Sequence, residues 1–312
     1  MGRRVGIALV FVGLFLLFFA PFVRWYAYPR LQKAPLDEYF QPVATGTGSY
    51  FNVAQLKVLQ GANLKNTKTV RGDVKAGNSK TAVWDYFDAT VDTADGGVIT
   101  AKQERIPLDR VSAQAEPCCG ENPATLAGLT LKFPFNTERK TYMFWDDLPE
   151  KAFPIDYAGE EDVAGLHTYR FVQHISNVPL QTVQISGAQA GDPSQVTVPA
   201  TEVYNDDTTV WVEPRSGVIV KGSQSIHEVL QTQSGTPVFD LFNGTLTWND
   251  ATVKAAADTA SNARSQLRLL GAVLPIAAAV LGLILIGSGL LLSRTPPQGR
   301  HEPISPQTVE AT

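Results

Sequence analysis

Three kinds of residue in this 312-residue chain could do chemistry: four histidines, a few runs of adjacent carboxylates, and one pair of neighbouring cysteines. His167, His174, His227 and His301 include no His-x-His or His-x-x-x-His pair, the spacings that bring two imidazoles to one metal ion. His167 and His174 stand seven apart, an odd separation that sends them to opposite faces of a strand. Asp146-Asp147, Asp206-Asp207 and Glu160-Glu161-Asp162 flank turns. They are expected to be solvated turn carboxylates rather than an acid/base pair or a calcium site. Arg71-Gly72-Asp73 matches an adhesion tripeptide, but it closes a strand-like run and reads as a turn. There is no Gly-x-Ser-x-Gly elbow, phosphate-binding loop or dinucleotide fingerprint. These residues specify no reaction and imply no metal or cofactor, and the chain is not expected to be an enzyme.

Cys118-Cys119 is the unusual pair. In an oxidising exterior two lone neighbours pair with each other, pair between chains, or stay free. A vicinal disulfide is the favoured outcome, because Pro117 and Gly120 accommodate the distorted turn that it needs.

The elements that must position these residues follow from the charge distribution. Residues 34–263 carry 17 basic and 28 acidic side chains, a net of −11, while both ends are basic. An acidic middle argues against a nucleic-acid partner. Val5 to Val23 is 19 residues without a charge, followed by the aromatic belt Trp25, Tyr26 and Tyr28. That length crosses a bilayer as a helix. No small-residue cleavage site follows Phe18-Phe19-Ala20-Pro21, so the segment reads as an uncleaved signal anchor. Leu269 to Leu292 is a second uncharged run, of 24 residues, and the Ala-rich stretch from Asp250 reads as a helix leading into it. Ala278 with Gly282, and Gly6 with Gly13, are small residues of the kind that let membrane helices approach closely, so the two spans are expected to pack there.

The middle alternates with period two. Trp84, Tyr86, Asp88 and Thr90 fall on one face of a strand, with Val83, Phe87, Ala89 and Val91 on the other. Leu129–Phe135 and Thr141–Trp145 read as a strand pair, His167–Ile175 as a strand, and Val210–Val212 with Val218–Val220 as a hairpin about Glu213–Gly217. The fold class is therefore mainly β: an antiparallel, β-rich extracytoplasmic domain tethered by an N-terminal and a C-terminal transmembrane helix. The expected boundaries are a cytoplasmic N-terminus at 1–4, transmembrane helix at 5–28, β-rich domain at 29–249, juxtamembrane helix at 250–268, transmembrane helix at 269–292 and disordered cytoplasmic tail at 293–312. The expected location is the cell membrane, crossed twice.

Several ordered motifs are distinctive: Tyr28-Pro29-Arg30-Leu31-x-Lys33-Ala34-Pro35-Leu36, Val70-Arg71-Gly72-Asp73-Val74, Cys118-Cys119-Gly120-Glu121, Lys132-Phe133-Pro134-Phe135 with Lys140-Thr141-Tyr142, and Gly159-Glu160-Glu161 before Gly165-Leu166. With the two apolar ends they resemble the actinobacterial membrane family labelled PorA-like. The resemblance implies a two-span envelope protein with a large exterior domain, and it carries no catalytic residue. The wider family's links to mycolate and glycolipid handling make membrane lipids the expected partners, with envelope lipid transporters or synthases beside them. A pore reading of the family label is set aside at this point. Two helices per chain enclose no water-filled channel without oligomerising, neither has a polar stripe, and strands with Asp and Lys on their outer faces lack the apolar band of a membrane barrel. The expected function is an exterior domain that binds or hands on an envelope lipid, with Trp84, Tyr86, Phe87, Trp145 and Trp211 lining its cleft. A non-catalytic scaffold for envelope-synthesis or transport proteins is the alternative.

Overall fold

A computed structural model describes residues 2–294. It divides the chain into Leu31–Leu267 and the two terminal segments on either side. The expected disordered tail lies, from residue 295 on, outside the described residues.

The terminal segments are helical. Helix α1 (Gly2–Phe22) runs through a π-helical turn (Val23–Ala27) into the short α2 (Tyr28–Leu31). After α3 (Asp250–Arg268), a second π-helical turn (Leu269–Val273) precedes α4 (Leu274–Ser293). The helical runs Arg3–Arg30 and Asp250–Ser293 are both long and apolar enough to cross a membrane. Helices α1 and α4 pack through paired glycines, as their small residues predicted. A Cβ on Gly13 would lie 2.6 Å from the Gly282 carbonyl oxygen, and one on Gly6 would lie 2.6 Å from that of Gly289. Ala278 and Gly282 are buried in this seam.

Residues 31–267 build one antiparallel sheet. Its strands are β1 (Tyr39–Phe40), β2 (Val43–Asn52), β3 (Lys57–Gly72), β4 (Thr81–Asp92), β5 (Val98–Asp109), β6 (Tyr142–Asp146), β7 (Lys151–Val163), β8 (Leu166–Ser186), β9 (Thr197–Glu213), β10 (Val218–Thr232) and β11 (Pro237–Trp248). The order across the sheet is β5-β4-β3-β2-β11-β10-β9-β8-β7-β6, with β1 paired to β3. Most neighbours are sequential hairpins, the arrangement that short turn-rich connections favour. The sheet rolls into a half-barrel until its two edges face one another, and the segment between them stitches one end. Leu108 bridges Ala115, Gln114 bridges Leu129, and Leu129 bridges Phe144. Leu129 N donates to Met143 O at 2.8 Å while Trp145 N donates to Leu129 O at 2.7 Å. An edge that is stitched in this way no longer offers free backbone groups for aggregation.

One expected strand is absent. Thr141–Trp145 becomes β6, but Leu129–Phe135 is irregular apart from the Leu129 bridges. Pro134 removes a ladder donor, and Phe133 is inserted into the core between Tyr142, Phe144 and Phe171. The main core lies inside the roll, where Trp84, Ile106, Leu108, Ile155, Phe171, Val210 and Val212 meet. On the outer face α3 covers Trp211 and Val220 with Val253, Ala257 and Ala260. Asn249 caps this helix, its side-chain oxygen accepting from Thr252 N at 2.9 Å.

Candidate functional site

Inside the roll, beyond the apolar core, the strands turn a row of carboxylates inward. On β4 and β5, Asp88 shares its inward parity with Trp84 and Tyr86, and Glu104 shares its with Ile106 and Leu108. On β9 and β10, Glu202, Tyr204 and Asp206 face in with Val210 and Val212, and Glu228 lies opposite Tyr204 in the pairing. Asp146 ends β6 and Asp147 follows it into the turn. Lys68, on β3, and Lys102, on β5, bring positive charge to this group. Lys68 Nζ lies 3.0 Å from Asp88, and Lys102 Nζ lies 3.6 Å from Glu104 and 3.2 Å from Glu150.

The Asp146-Asp147 turn holds the two halves of the roll together. Tyr204 OH donates to Asp146 at 2.9 Å, and Tyr86 OH donates to Asp147 at 3.3 Å and to Asp88 at 2.9 Å. Lys102 Nζ donates to the Asp147 carbonyl, and Trp145 Nε1 donates to both oxygens of Glu104 at 3.2 and 3.3 Å. Asp206 accepts from Thr208 Oγ1 at 2.7 Å, while its second oxygen is buried without a hydrogen-bond partner.

Electrostatics follow from this crowding. Burial, reinforced by Asp147, pushes Asp146 up to about 7, and burial with Asp147 nearby does the same to Glu104. Burial and Asp146 push Asp206 up to about 8, and burial and Glu202 push Glu228 up to about 8. Taking a carboxylate out of water disfavours its charged form, and a second carboxylate adds to that. Burial alone would lower Lys68, but Asp88 and Asp147 outweigh it and hold the ammonium above its usual range. The site therefore favours the protonated, neutral form of these four carboxyls. It holds no histidine, and no group of three or more metal-ligating side chains forms among the described residues.

Sequence reasoning missed this site. Asp146 and Asp206 were expected to be solvated, yet they are 5% and 2% exposed. The signal was parity: Asp206 is in phase with the buried apolar positions of its own strand, and Asp207 is the exposed partner.

Of the five aromatic residues expected to line a cleft, three come together. Trp84, Tyr86 and Trp145 are all inside the roll and buried, and Trp84 Nε1 donates to Pro35 O at 3.1 Å. Phe87 points outward and is 45% exposed, and Trp211 lies on the opposite face of its strand, beneath α3. The three inner rings fill the interior and are tied by hydrogen bonds to their neighbours. They pack as core.

The chain is 26% identical to a protein named Porin PorA from Corynebacterium resistens, over 63% of this chain and 67% of that one. It is 23% identical to another protein of that name from Corynebacterium amycolatum, over 93% of this chain and 98% of that one. These likenesses correct the function expected from sequence. Binding or handing on an envelope lipid, and its scaffold alternative, give way to the pore reading, set aside above because two helices enclose no channel without oligomerising, neither has a polar stripe, and the strands lack an apolar outer band. The family model described as Porin PorA matches residues 5–291, and the chain belongs to that family.

Proposed function

We propose that this chain is a pore-forming protein of the envelope membrane, crossing it twice with both termini on the cytoplasmic side and residues 29–249 outside. The observation that carries the reading is the porin family match along nearly the whole chain. Two physical features shape it. The seam between α1 and α4 is closed by glycine contacts, and no charged residue lies within Val5–Val23 or Leu269–Leu292, so one helix pair offers water no path. Several copies must therefore assemble around the pore. The β-rich part carries a net charge of −11 across residues 34–263. A low-dielectric surface with that excess favours cations over anions. The reading assigns the chain no reaction.

The test is conductance across a planar lipid bilayer with the purified full chain. Stepwise current increases are expected, with a zero-current potential in a potassium chloride gradient that reports preference for potassium. Folded protein that inserts but never raises the current above that of the bare bilayer would overturn the reading.

A further inference from the structure

Strand β8 is the longest of the sheet, and only part of it has a neighbour on both sides. β9 runs beside it from Tyr169 to Ser186, whereas β7 runs beside it only from Leu166 to Val172. At Ile155 β7 leaves it to pair with β6, and the Gln173 amide spans the parting strands by donating to Phe144 O and Phe153 O, each at 3.1 Å. Beyond that point, among the described residues, no strand pairs with the outer side of β8, and the bridges that stitch the roll do not reach it. The direction of its backbone groups follows from the turn. Gly187 N donates to Val196 O at 3.2 Å, and an antiparallel ladder alternates. Val183 and Ile185 therefore turn their backbone groups toward β9, while Thr182, Gln184 and Ser186 turn theirs outward. Outside that ladder only Ser186 O is engaged among the described residues, accepting from Ala190 N at 3.1 Å.

A bare edge is a template for another strand, and proteins that avoid such pairing blunt it with charge, proline or a bulge. This edge is not blunted where its groups point out. Between Arg170 and Asp192 there is no Asp, Glu, Lys or Arg, and Pro179 and both register shifts precede Thr182. What remains, Thr182-Val183-Gln184-Ile185-Ser186, has the same chemistry read in either direction: hydroxyl, branched aliphatic, amide, branched aliphatic, hydroxyl. Paired antiparallel with itself, it sets Gln184 against Gln184 of a second copy, Thr182 against Ser186 and Val183 against Ile185. The outward groups of Thr182, Gln184 and Ser186 then fall on the hydrogen-bonded pairs of the new ladder, about six bonds in all. Hydroxyls meet hydroxyls and aliphatics meet aliphatics, with no like charges opposed. We propose that two copies of this chain join antiparallel along β8 about a two-fold axis at Gln184, so that one sheet continues into the other. The contact rests on the bare edge of the exterior part and not on pore formation.

Disulfide crosslinking of the purified full chain in detergent tests the pairing, in a Cys118→Ser/Cys119→Ser background so that the introduced thiol is the only one. Cα atoms of a hydrogen-bonded antiparallel pair lie about 5.5 Å apart, within the reach of a disulfide. Gln184→Cys is therefore expected to give a covalent dimer under mild oxidation. Gln189→Cys, equally exposed but in the loop past the axis, is carried away from its counterpart and should give about tenfold less. Adding Thr182→Lys and Ser186→Lys to Gln184→Cys sets lysine against lysine on both sides of the axis and should reduce the dimer about tenfold. All of these side chains are exposed, and circular dichroism checks that the variants fold. No dimer from Gln184→Cys, an equal yield from Gln189→Cys, or a yield from the folded lysine variant as high as without the lysines would each overturn the proposal. Conductance measured on the same samples separates the two readings: current without the Gln184 crosslink removes this contact and leaves the pore.

Discussion

Tyr204 donates its hydroxyl proton to Asp146 at 2.9 Å, although the two residues are 58 apart in sequence and sit on strands separated by β8 and β7. The bond runs through the interior of the roll, not along a ladder. It ties the β6 edge to the middle of the sheet. Removing the hydroxyl leaves Asp146 buried with only Leu148 N as donor, at 3.1 Å. Tyr204→Phe is therefore expected to destabilise the sheet by about 1–3 kcal/mol, the range for a hydrogen bond to a charged or buried partner. Denaturant unfolding of the full chain in detergent, followed by tryptophan fluorescence, measures it. In an Asp146→Asn background the same change should cost less, and equal costs in both backgrounds would show that the pair is uncoupled.

The raised carboxyls make a second prediction, about pH. Glu104 and Asp146 keep their protons to about 7, and Asp206 and Glu228 to about 8, whereas in the unfolded chain such groups release them near 4. Between pH 4.5 and 7 the folded state binds more protons than the unfolded one, so stability falls as pH rises. The lowered carboxyls Asp73, Asp109 and Asp192 act below that window. Lys132, brought down to about 7 by burial, gives an opposing slope only above it. The unfolding midpoint should be higher at pH 5 than at pH 7, and Asp206→Asn should flatten the slope by about one proton. A midpoint that rises from pH 5 to 7 would refute the protonated interior.

Much of the fold was legible because period two and turn chemistry are local. The Glu213–Gly217 turn, the alternation of Trp84 and Phe87, and the helix from Asp250 all follow from neighbours in sequence. The acidic interior follows only in part. Parity alone turns Glu104 and Asp206 inward, but whether the inner face is dry depends on the sheet rolling until β5 meets β6, and that rests on bridges among Leu108, Gln114, Leu129 and Phe144. Such contacts lie far apart along the chain, and Leu129 makes them from outside any strand. The aromatic residues misled for the same reason. A strand's pattern separates its two faces without naming which one a helix will cover, so Trp211 under α3 and Trp84 inside the roll look alike in sequence.

Glycine spacing makes the third prediction. Gly13 and Gly282 approach so closely that any side chain on Gly13 meets backbone. Gly287, on the same helix as Gly282, faces open space. Gly13→Leu and Gly282→Leu are expected to destabilise the helix pair by about 1–3 kcal/mol, the cost of overpacking a tight contact. Gly287→Leu should be neutral. Thermal loss of helical signal in detergent micelles compares the three, and similar melting of Gly13→Leu and Gly287→Leu would remove the seam from the account.

The neighbouring cysteines make the last prediction. The structure joins Cys118 to Cys119 in a turn between Pro117 and Gly120, where Cys119 has φ +66° and Gly120 φ +76°. Positive φ is strained for a residue with a Cβ, so Cys119 needs support from its surroundings. Arg105 supplies some: its Nε donates to the Cys119 carbonyl at 3.0 Å while its two terminal nitrogens pair with Asp85 and Asp73 at 2.7 and 2.6 Å. One guanidinium thus fixes the turn to β4 and to the end of β3. Alkylation of the unfolded protein without reductant is expected to add no mass, and after reduction to add two alkyl groups. The ring spans adjacent residues, so it removes little freedom from the unfolded chain. The double variant Cys118→Ser with Cys119→Ser should therefore change stability by about 1 kcal/mol or less. Arg105→Ala should cost more, because it frees the turn and leaves Asp73 and Asp85 without their shared cation. Two alkyl groups added without reductant would show that the thiols are free and would leave Arg105 alone as the device that holds this turn.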